Sequence, residues 1–395
     1  MAGRTRILFV DDEPLVLQAL ERLLRGMRGE WEMAFAQSGT EALDLMARAP
    51  FDVVVADIGM PGMTGTVFLG HVMRRHPEVV RLVLSGQADV GQVLQAEGVA
   101  HQFMAKPCDP ETLRAVIRSA TAAAAHLRSQ EIRRVLGGIR HLPVLPSAYQ
   151  EILGLLEQED AKATDIGRVV QKDPGMTANL LKVVNSAYFG LRQRVSDPAD
   201  AVAYLGVETL KALALVHGVF QQAGRFPEGF NGSRLWAHCL QMGLACREVA
   251  RVEKLPREAQ ADAFTGGLLH DVGLLILAAG LPDRYGAVGD LLAEGHDILA
   301  AEMQVLGVHH GEVGAHLLGM WGLPAPVVEA VATHHAPPLL DPLTPASIVA
   351  CLEGLLCGVG DAGVFGLCGP GDPARFRELL GPRAEAWTGV LEGRA

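Results

Sequence analysis

Between residues 5 and 120 short apolar runs recur, and four of them end on a polar side chain. Ile7-Leu8-Phe9-Val10 runs into Asp11-Asp12, Val53-Val54-Val55-Ala56 into Asp57, Leu82-Val83-Leu84 into Ser85, and Phe103-Met104-Ala105 into Lys106. Such runs suit strands buried on both faces, the habit of parallel sheets. Amphipathic stretches alternate with them: Leu15–Met27, Gly39–Arg48, Gly65–Arg75, Val90–Glu97 and Pro110 onward. With Glu32–Ala36 as a further strand, five β-α units predict a doubly wound α/β domain, a five-stranded parallel sheet with helices on both faces. In such a sheet, sites form at the C-terminal ends of the strands. The acids, the hydroxyl and the lysine all fall there.

Composition bounds the rest. An apolar content of 49% and a charged content of 20% over 395 residues describe an ordered chain with room for two or three domains. A net charge of -11 argues against sequence-independent nucleic-acid binding, which neutralises phosphates with Lys and Arg. The basic run at Arg128, Arg133, Arg134 and Arg140 reads as a solvated helix face. The cysteines are scattered and none forms a CxxC pair, as expected of thiols in a reducing compartment. The chain opens Met-Ala-Gly-Arg-Thr-Arg without a signal-peptide pattern. Its longest apolar stretch, Val272 to Leu281, falls short of the ~20 residues a membrane span needs. The expectation is a cytoplasmic protein with no membrane and no nucleic-acid partner.

Asp109 to Leu136 reads as one long helix, free of glycine and, past Pro110 in its first turn, of proline. Leu113, Ile117, Ala120, Ala124 and Leu127 repeat at 4-3-4-3 spacing along it. That pattern fits a homodimer seam, and equally a helix packed on its own sheet and continued as a connector. Gly137-Gly138 ends the helix, and Leu142-Pro-Val-Leu-Pro146 opens a new region. Beyond residue 147 apolar residues recur at helical spacing, as in Ile166, Val169, Val170 and in Leu210, Leu213, Leu215. Breakers separate them, and Asp197 stands as a cap before Pro198. The expected domains are 1–122, a helical linker 123–141, an all-α domain 142–345 and its helical extension 346–395.

Adjacent carboxylates with a third close by suit Mg²⁺, which would relieve their repulsion and screen Asp57 as a phosphoryl group arrives. A carboxylate can serve as the nucleophile and form an acyl phosphate. Lys106 would then pair with the phosphoryl oxygens and Ser85 would donate to them. This set resembles the receiver domain of two-component response regulators, a flavodoxin-like fold, over residues 4–122. The resemblance implies Asp57 as phosphoacceptor, Asp11, Asp12 and Asp57 as Mg²⁺ ligands, Ser85 as switch hydroxyl, Lys106 as the motif's lysine and Phe103 as switch aromatic. It also implies a sensor histidine kinase or phosphotransfer protein as partner. Pro107 stands at the family's proline, and Gly59 where a backbone carbonyl completes the metal shell.

The helical region is rich in histidine: His238, His270-Asp271, His309-His310 and His334-His335. Imidazoles and carboxylates together suit Fe, Mn or Zn, and spacing alone does not choose among them. A lone histidine is more often a satisfied core group, but the His270-Asp271 pair in an apolar helix needs a partner for its buried charge. Residues 142–345 resemble the HDOD domain, a relative of the HD phosphohydrolases and the HD-GYP phosphodiesterases. The matching stretches include Asp173-Pro-Gly-Met176, Val184-Asn-Ser-Ala-Tyr-Phe-Gly190, Gly266-Gly-Leu-Leu-His-Asp-Val-Gly273 and Trp321-Gly-Leu-Pro324. The resemblance implies an HD-type metal site of His238, His270, Asp271, His310, His334, His335 and Glu353, the last in place of an aspartate. Leu274 and Ala336 depart from HD-GYP enzymes, which carry lysine and glutamate there.

Two functions follow. One is a response regulator of a phosphorelay, in which phosphorylation at Asp57 controls an HDOD scaffold that binds a downstream protein. The other is a receiver-controlled metal phosphohydrolase acting on a nucleotide or cyclic dinucleotide.

Overall fold

The valine-rich strand β3 (Val53–Asp57) is buried along its whole length and forms the middle of a five-stranded parallel sheet in the computed structural model. β1 (Thr5–Val10), β2 (Trp31–Ala36), β4 (Val80–Gly86) and β5 (Gln102–Lys106) complete the sheet in the order β2-β1-β3-β4-β5. The order reverses between β1 and β3, which pair from Ile7 opposite Val53 to Val10 opposite Ala56. This is the switch point at which a crevice opens beyond the strand ends. The structure describes residues 4–86, 96, 98–126, 130–139, 142, 151–152, 154–155, 162–186, 191, 194–206, 226–356 and 373–391. The helix expected at Val90–Glu97, the repeat at Leu210, Leu213 and Leu215, and most of the 142–146 and 184–190 motifs lie outside them.

The chain divides into two compact units, Met1–Arg140 with 182–193 and 319–322, and the remainder of 141–395. In the first, α1 (Pro14–Leu23), α2 (Gly39–Arg48), α3 (Gly65–Arg75), α4 (Pro110–His126) and α5 (Gln130–Gly138) flank the sheet or follow it. Local chemistry starts these helices. Ser38 accepts from the Glu41 N–H at 3.2 Å while the Glu41 carboxylate accepts from the Gln37 N–H at 2.7 Å, a reciprocal cap on α2. Thr64 caps α3. Leu8, Val10, Val54, Ala56 and Val83 form one core with Ala42 and Met46 of α2 and Phe68, Leu69 and Val72 of α3. The alternate residues Ile7, Phe9, Val53, Val55 and Leu82 are also buried, so both faces of the sheet are covered.

The expected helix from Asp109 to Leu136 is described as α4 and α5, with 127–129 outside the described residues. Leu113, Ile117 and Ala120 are buried within the single chain, which removes them from any seam between copies. α5 is held by a side chain that sequence reading passed over. The buried Arg81 guanidinium of β4 donates to the carbonyls of Pro77, Val79, Val99 and Gly137, the last at 2.6 Å.

The second part of the chain is helical, and none of its described residues forms a strand. Its helices are α6 (Ala163–Gln171), α7 (Pro174–Val184), α8 (Pro198–Leu205), α9 (Gly232–Val252), α10 (Arg257–Leu269), α11 (Val272–Gly280), α12 (Pro282–Ala293), α13 (Ile298–Leu306), α14 (His310–Met320), α15 (Ala325–Thr333), α16 (Pro345–Leu356), α17 (Pro373–Leu380) and α18 (Arg383–Leu391). Asp197 caps α8 as expected, accepting from the Ala199 N–H at 2.8 Å. α9, α10 and α16 share an apolar core that also takes in Leu380 and Trp387 of the last two helices. The Trp387 indole donates to Glu253 at the end of α9 at 2.8 Å. Arg257–Gly280 as a whole is long and apolar enough to cross a membrane, but 89% of its most apolar window is buried inside the protein.

Candidate functional site

At the C-terminal edge of the sheet the parallel register brings the ends of β1, β3 and β5 together. Lys106 Nζ lies 2.6 Å from Asp11 Oδ2 and also pairs with Asp57 Oδ1. The other Asp57 oxygen accepts from the Gly59 N–H at 2.6 Å, and Asp11 Oδ1 accepts from the Glu13 N–H at 3.0 Å. Burial disfavours the charge on Lys106, but its hydrogen bonds to Asp11 and Asp57 and their charges outweigh that and raise its pKa. Asp12 is half-buried beside Asp11, and Ser85 is buried at the end of β4. Asp11, Asp12, Asp57, Ser85 and Lys106 therefore fall at neighbouring strand ends, while Phe103 lies three residues before Lys106 near the start of β5. Phe103 points inward as part of the apolar core. Gly65 lets α3 start against this edge, since a Cβ there would lie 1.9 Å from the Asp57 carbonyl oxygen. Two carboxylates paired with one lysine, with Asp12 next in sequence to Asp11, leave excess negative charge, and the acidic donors are all oxygen. That fits Mg²⁺.

The second site is built at helix ends. His270 and Asp271 form the turn between α10 and α11, His310 begins α14, and His334-His335 follows α15. His238 comes from within α9 and Glu353 from within α16. Gly273 is what lets these ends meet, because a Cβ on it would lie 1.9 Å from the His310 carbonyl oxygen. All seven residues named from the sequence converge here, in two ligand sets. His238 and His270 approach through Nε2 at 3.1 Å, and Glu353 Oε2 lies 3.5 Å from each. His310 Nε2 lies 3.1 Å from His334 Nε2 and 3.0 Å from His335 Nε2. Asp271 serves both sets. Its Oδ2 is 3.3 Å from His270 Nε2, and its Oδ1 is 3.3 Å from His310 Nε2 and 3.5 Å from His334 Nε2. His309, next in sequence to His310, stands outside both sets.

The tautomers explain why this cluster fits a metal. His270 Nδ1 faces the Gly267 carbonyl at 2.7 Å and His334 Nδ1 faces the Val331 carbonyl at 2.8 Å. Each ring must place its proton on Nδ1 there, which leaves Nε2 as a lone pair aimed into the cluster. Lone pairs about 3 Å apart repel unless a cation or a proton lies among them. The electrostatics agree. Burial opposes charge on His270, yet the Asp271 and Glu353 carboxylates raise its pKa well above the ordinary value. His310, also opposed by burial, is pushed up to about 10 by Glu302 and Asp271. Burial and the neighbouring imidazoles push His335 down. Asp271 and Glu353 are pulled well below the carboxylate range, although burial works the other way, by the histidines around them. The donors present are imidazole nitrogen and carboxylate oxygen, which suits a borderline divalent cation. His238 and His335 are half-buried and the other five buried, so the cluster meets solvent along that side.

Two residues here escaped the sequence reading. Glu302 on α13 and Tyr285 on α12 lie behind His310, joined to each other by a 2.8 Å hydrogen bond. The available signal was an acid inside the apolar helix Ile298–Leu306.

Comparison with known proteins agrees with this division. Residues 7–118 match the response regulator receiver domain and residues 142–337 the HDOD domain. An uncharacterized protein of Treponema pallidum is 31% identical over 202 residues, covering 50% of this chain and 38% of that protein. The hydrogenase transcriptional regulatory protein HoxA of Cupriavidus necator is 37% identical over 119 residues, covering 30% of this chain and 24% of HoxA. The chain thus spans well under half the length of these relatives. The MmoQ response regulator of Methylococcus capsulatus, a solved structure, is 22% identical, with a TM-score of 0.48, covering 64% of this chain and 98% of MmoQ. With one family match at each site, the chain is a response regulator in which a receiver domain precedes an HDOD output domain.

Proposed function

We propose that the receiver accepts a phosphoryl group on Asp57 from a sensor histidine kinase or phosphotransfer protein, and that this controls how the HDOD domain engages a downstream protein. The observation that carries this reading is Asp57 at the end of β3, paired with Lys106 beside Asp11. An Asp57 oxygen attacks phosphorus, the bond to the donor breaks, and an acyl phosphate forms. Lys106 then exchanges its carboxylate partner for phosphoryl oxygens, and the Ser85 hydroxyl donates to them. The Gly59 N–H holds Asp57 Oδ2 and so orients the carboxylate. Asp11, Asp12 and Asp57 would hold Mg²⁺, which supplies charge neutralisation during transfer. Mass spectrometry after incubation with a small phosphodonor and Mg²⁺ should find one adduct, absent from Asp57→Ala. An adduct undiminished in that variant would refute the assignment.

In the HDOD domain the donor set supports a centre for transition-metal ions of the Fe, Mn or Zn class. His238, His270 and Glu353 would form one half and His310, His334 and His335 the other, with Asp271 between them. When bound, such ions supply Lewis acidity and a fixed positive charge. Leu274 and Ala336 leave the module without the lysine and glutamate of the related phosphodiesterases, which supports an interaction role over hydrolysis of cyclic dinucleotides. Elemental analysis of protein purified without chelator should return stoichiometric transition metal, lost in His270→Ala. Background levels in the wild type would remove this reading.

A further inference from the structure

We propose that Glu302, a member of neither ligand set, is the positioning residue that makes His310 a metal ligand, by holding the ring proton on Nδ1 and presenting Nε2 as donor. The inference rests on reading the histidine cluster as a metal centre.

The argument begins with where each histidine sits on its helix. His270 and His334 follow the last turns of α10 and α15, so the carbonyls of Gly267 and Val331, three residues back, are free to take their Nδ1 protons. A helix leaves its final carbonyls without intrahelical partners. His310 is different, because it begins α14. Three residues back lies Gly307, which closes α13 in the left-handed conformation at φ 72°. No helix-end carbonyl serves His310 from that position. Glu302 takes its place.

Glu302 is fully buried, and three donors replace its hydration. Its Oε2 accepts from both the backbone N–H and the ring Nδ1 of His310, each at 2.8 Å. One oxygen therefore fixes the start of α14 and the plane of the imidazole together. Oε1 accepts from the buried Tyr285 hydroxyl at 2.8 Å, which stops the carboxylate from turning. On the far side of the ring, Nε2 faces Asp271 Oδ1 at 3.3 Å. A carboxylate behind an imidazole sets its tautomer and makes it a stronger donor to a cation.

The test uses Co²⁺ with the full chain, measured against a competing chelator. Glu302→Gln keeps the shape of the side chain but cannot accept from Tyr285 and His310 at once. It should weaken Co²⁺ binding about 10- to 100-fold and alter the visible Co²⁺ absorption, with the far-UV circular dichroism of the metal-free protein unchanged. Tyr285→Phe should weaken binding in the same direction by less. Co²⁺ affinity in Glu302→Gln within about twofold of wild type would overturn the proposal. A wild type that takes up no Co²⁺ would overturn the metal reading itself, and this inference with it. Should Glu302→Gln fail to fold, ¹⁵N NMR of the Zn²⁺-loaded wild type decides alone. A proton on His310 Nδ1 supports the role of Glu302, and a proton on Nε2 refutes it.

Discussion

In the receiver, two carboxylates share a single lysine at the C-terminal edge of a sheet. In the HDOD domain, two carboxylates sit among five imidazoles where helix ends meet. Both sites concentrate acid, but they balance it differently. Lys106 sits on a long flexible arm and divides itself between Asp11 and Asp57, an arrangement suited to exchanging one anionic partner for another. The HDOD donors are pinned from behind, by the Gly267 and Val331 carbonyls and by Glu302. Charge at the first site can change in the course of signalling, whereas the second is built to keep its donors fixed.

The largest effect that could break this contrast is total loss at one site with none at the other. Asp57→Ala should abolish the phosphoryl adduct and leave the transition-metal content of the purified protein unchanged; a parallel fall in metal would make the two sites one system. In the opposite direction, Asp271→Asn should reduce metal to background, because each of its oxygens faces a different half of the cluster. The rate of adduct formation at Asp57 should stay as in wild type. Metal loss confined to half the content would show that Asp271 does not join the halves.

A smaller effect tests what the sites share. Gly65 and Gly273 each lie where a Cβ would reach 1.9 Å from a carbonyl oxygen, of Asp57 and His310 respectively. Gly65→Ala and Gly273→Ala should each destabilise the protein by about 1–3 kcal/mol in urea unfolding, through backbone shifts forced by overpacking. A cost below about 0.5 kcal/mol at either position would show that its site yields easily. The smallest effect concerns thiols, which neither site uses. Burial and the Asp109 charge push Cys108 up to about 11, and burial pushes Cys351 up to about 12. Both should alkylate slowly at pH 8, with the Cys108 rate rising about tenfold per pH unit towards its pKa. Fast labelling of Cys108 at pH 8 would contradict its burial.

The two sites also differed in how far the sequence disclosed them. Asp11, Asp57, Ser85 and Lys106 were legible because a parallel sheet delivers the ends of its strands to one edge, so position along the chain implies position in space. No such rule joins the ends of helices. His238, His270, Asp271, His310 and His334-His335 could be seen as chemistry, but their grouping into two sets through Asp271 exists only in the packed domain. Glu353 was reachable through family resemblance, as the acid near the end of a helix. Glu302 and Tyr285 carry no motif, since their role depends on where α12 and α13 pass behind His310. Arg81 escaped for a similar reason. An arginine opening an apolar strand gives no hint that its guanidinium will be enclosed by carbonyls, among them that of Gly137, distant in sequence.

The turn at His270-Asp271 has a consequence beyond coordination. It falls near the middle of Arg257–Gly280, a stretch with the length and apolarity of a bilayer-spanning helix. An aspartate at the centre of such a segment costs about 2.5–3.5 kcal/mol toward insertion by the translocon. Asp271, whose two oxygens face the two halves of the cluster, is therefore also one of the charges that oppose insertion of the newly synthesised segment. Replacing Asp271 with leucine would remove the shared carboxylate from the cluster and also lower the barrier to delivering this segment to the wrong solvent.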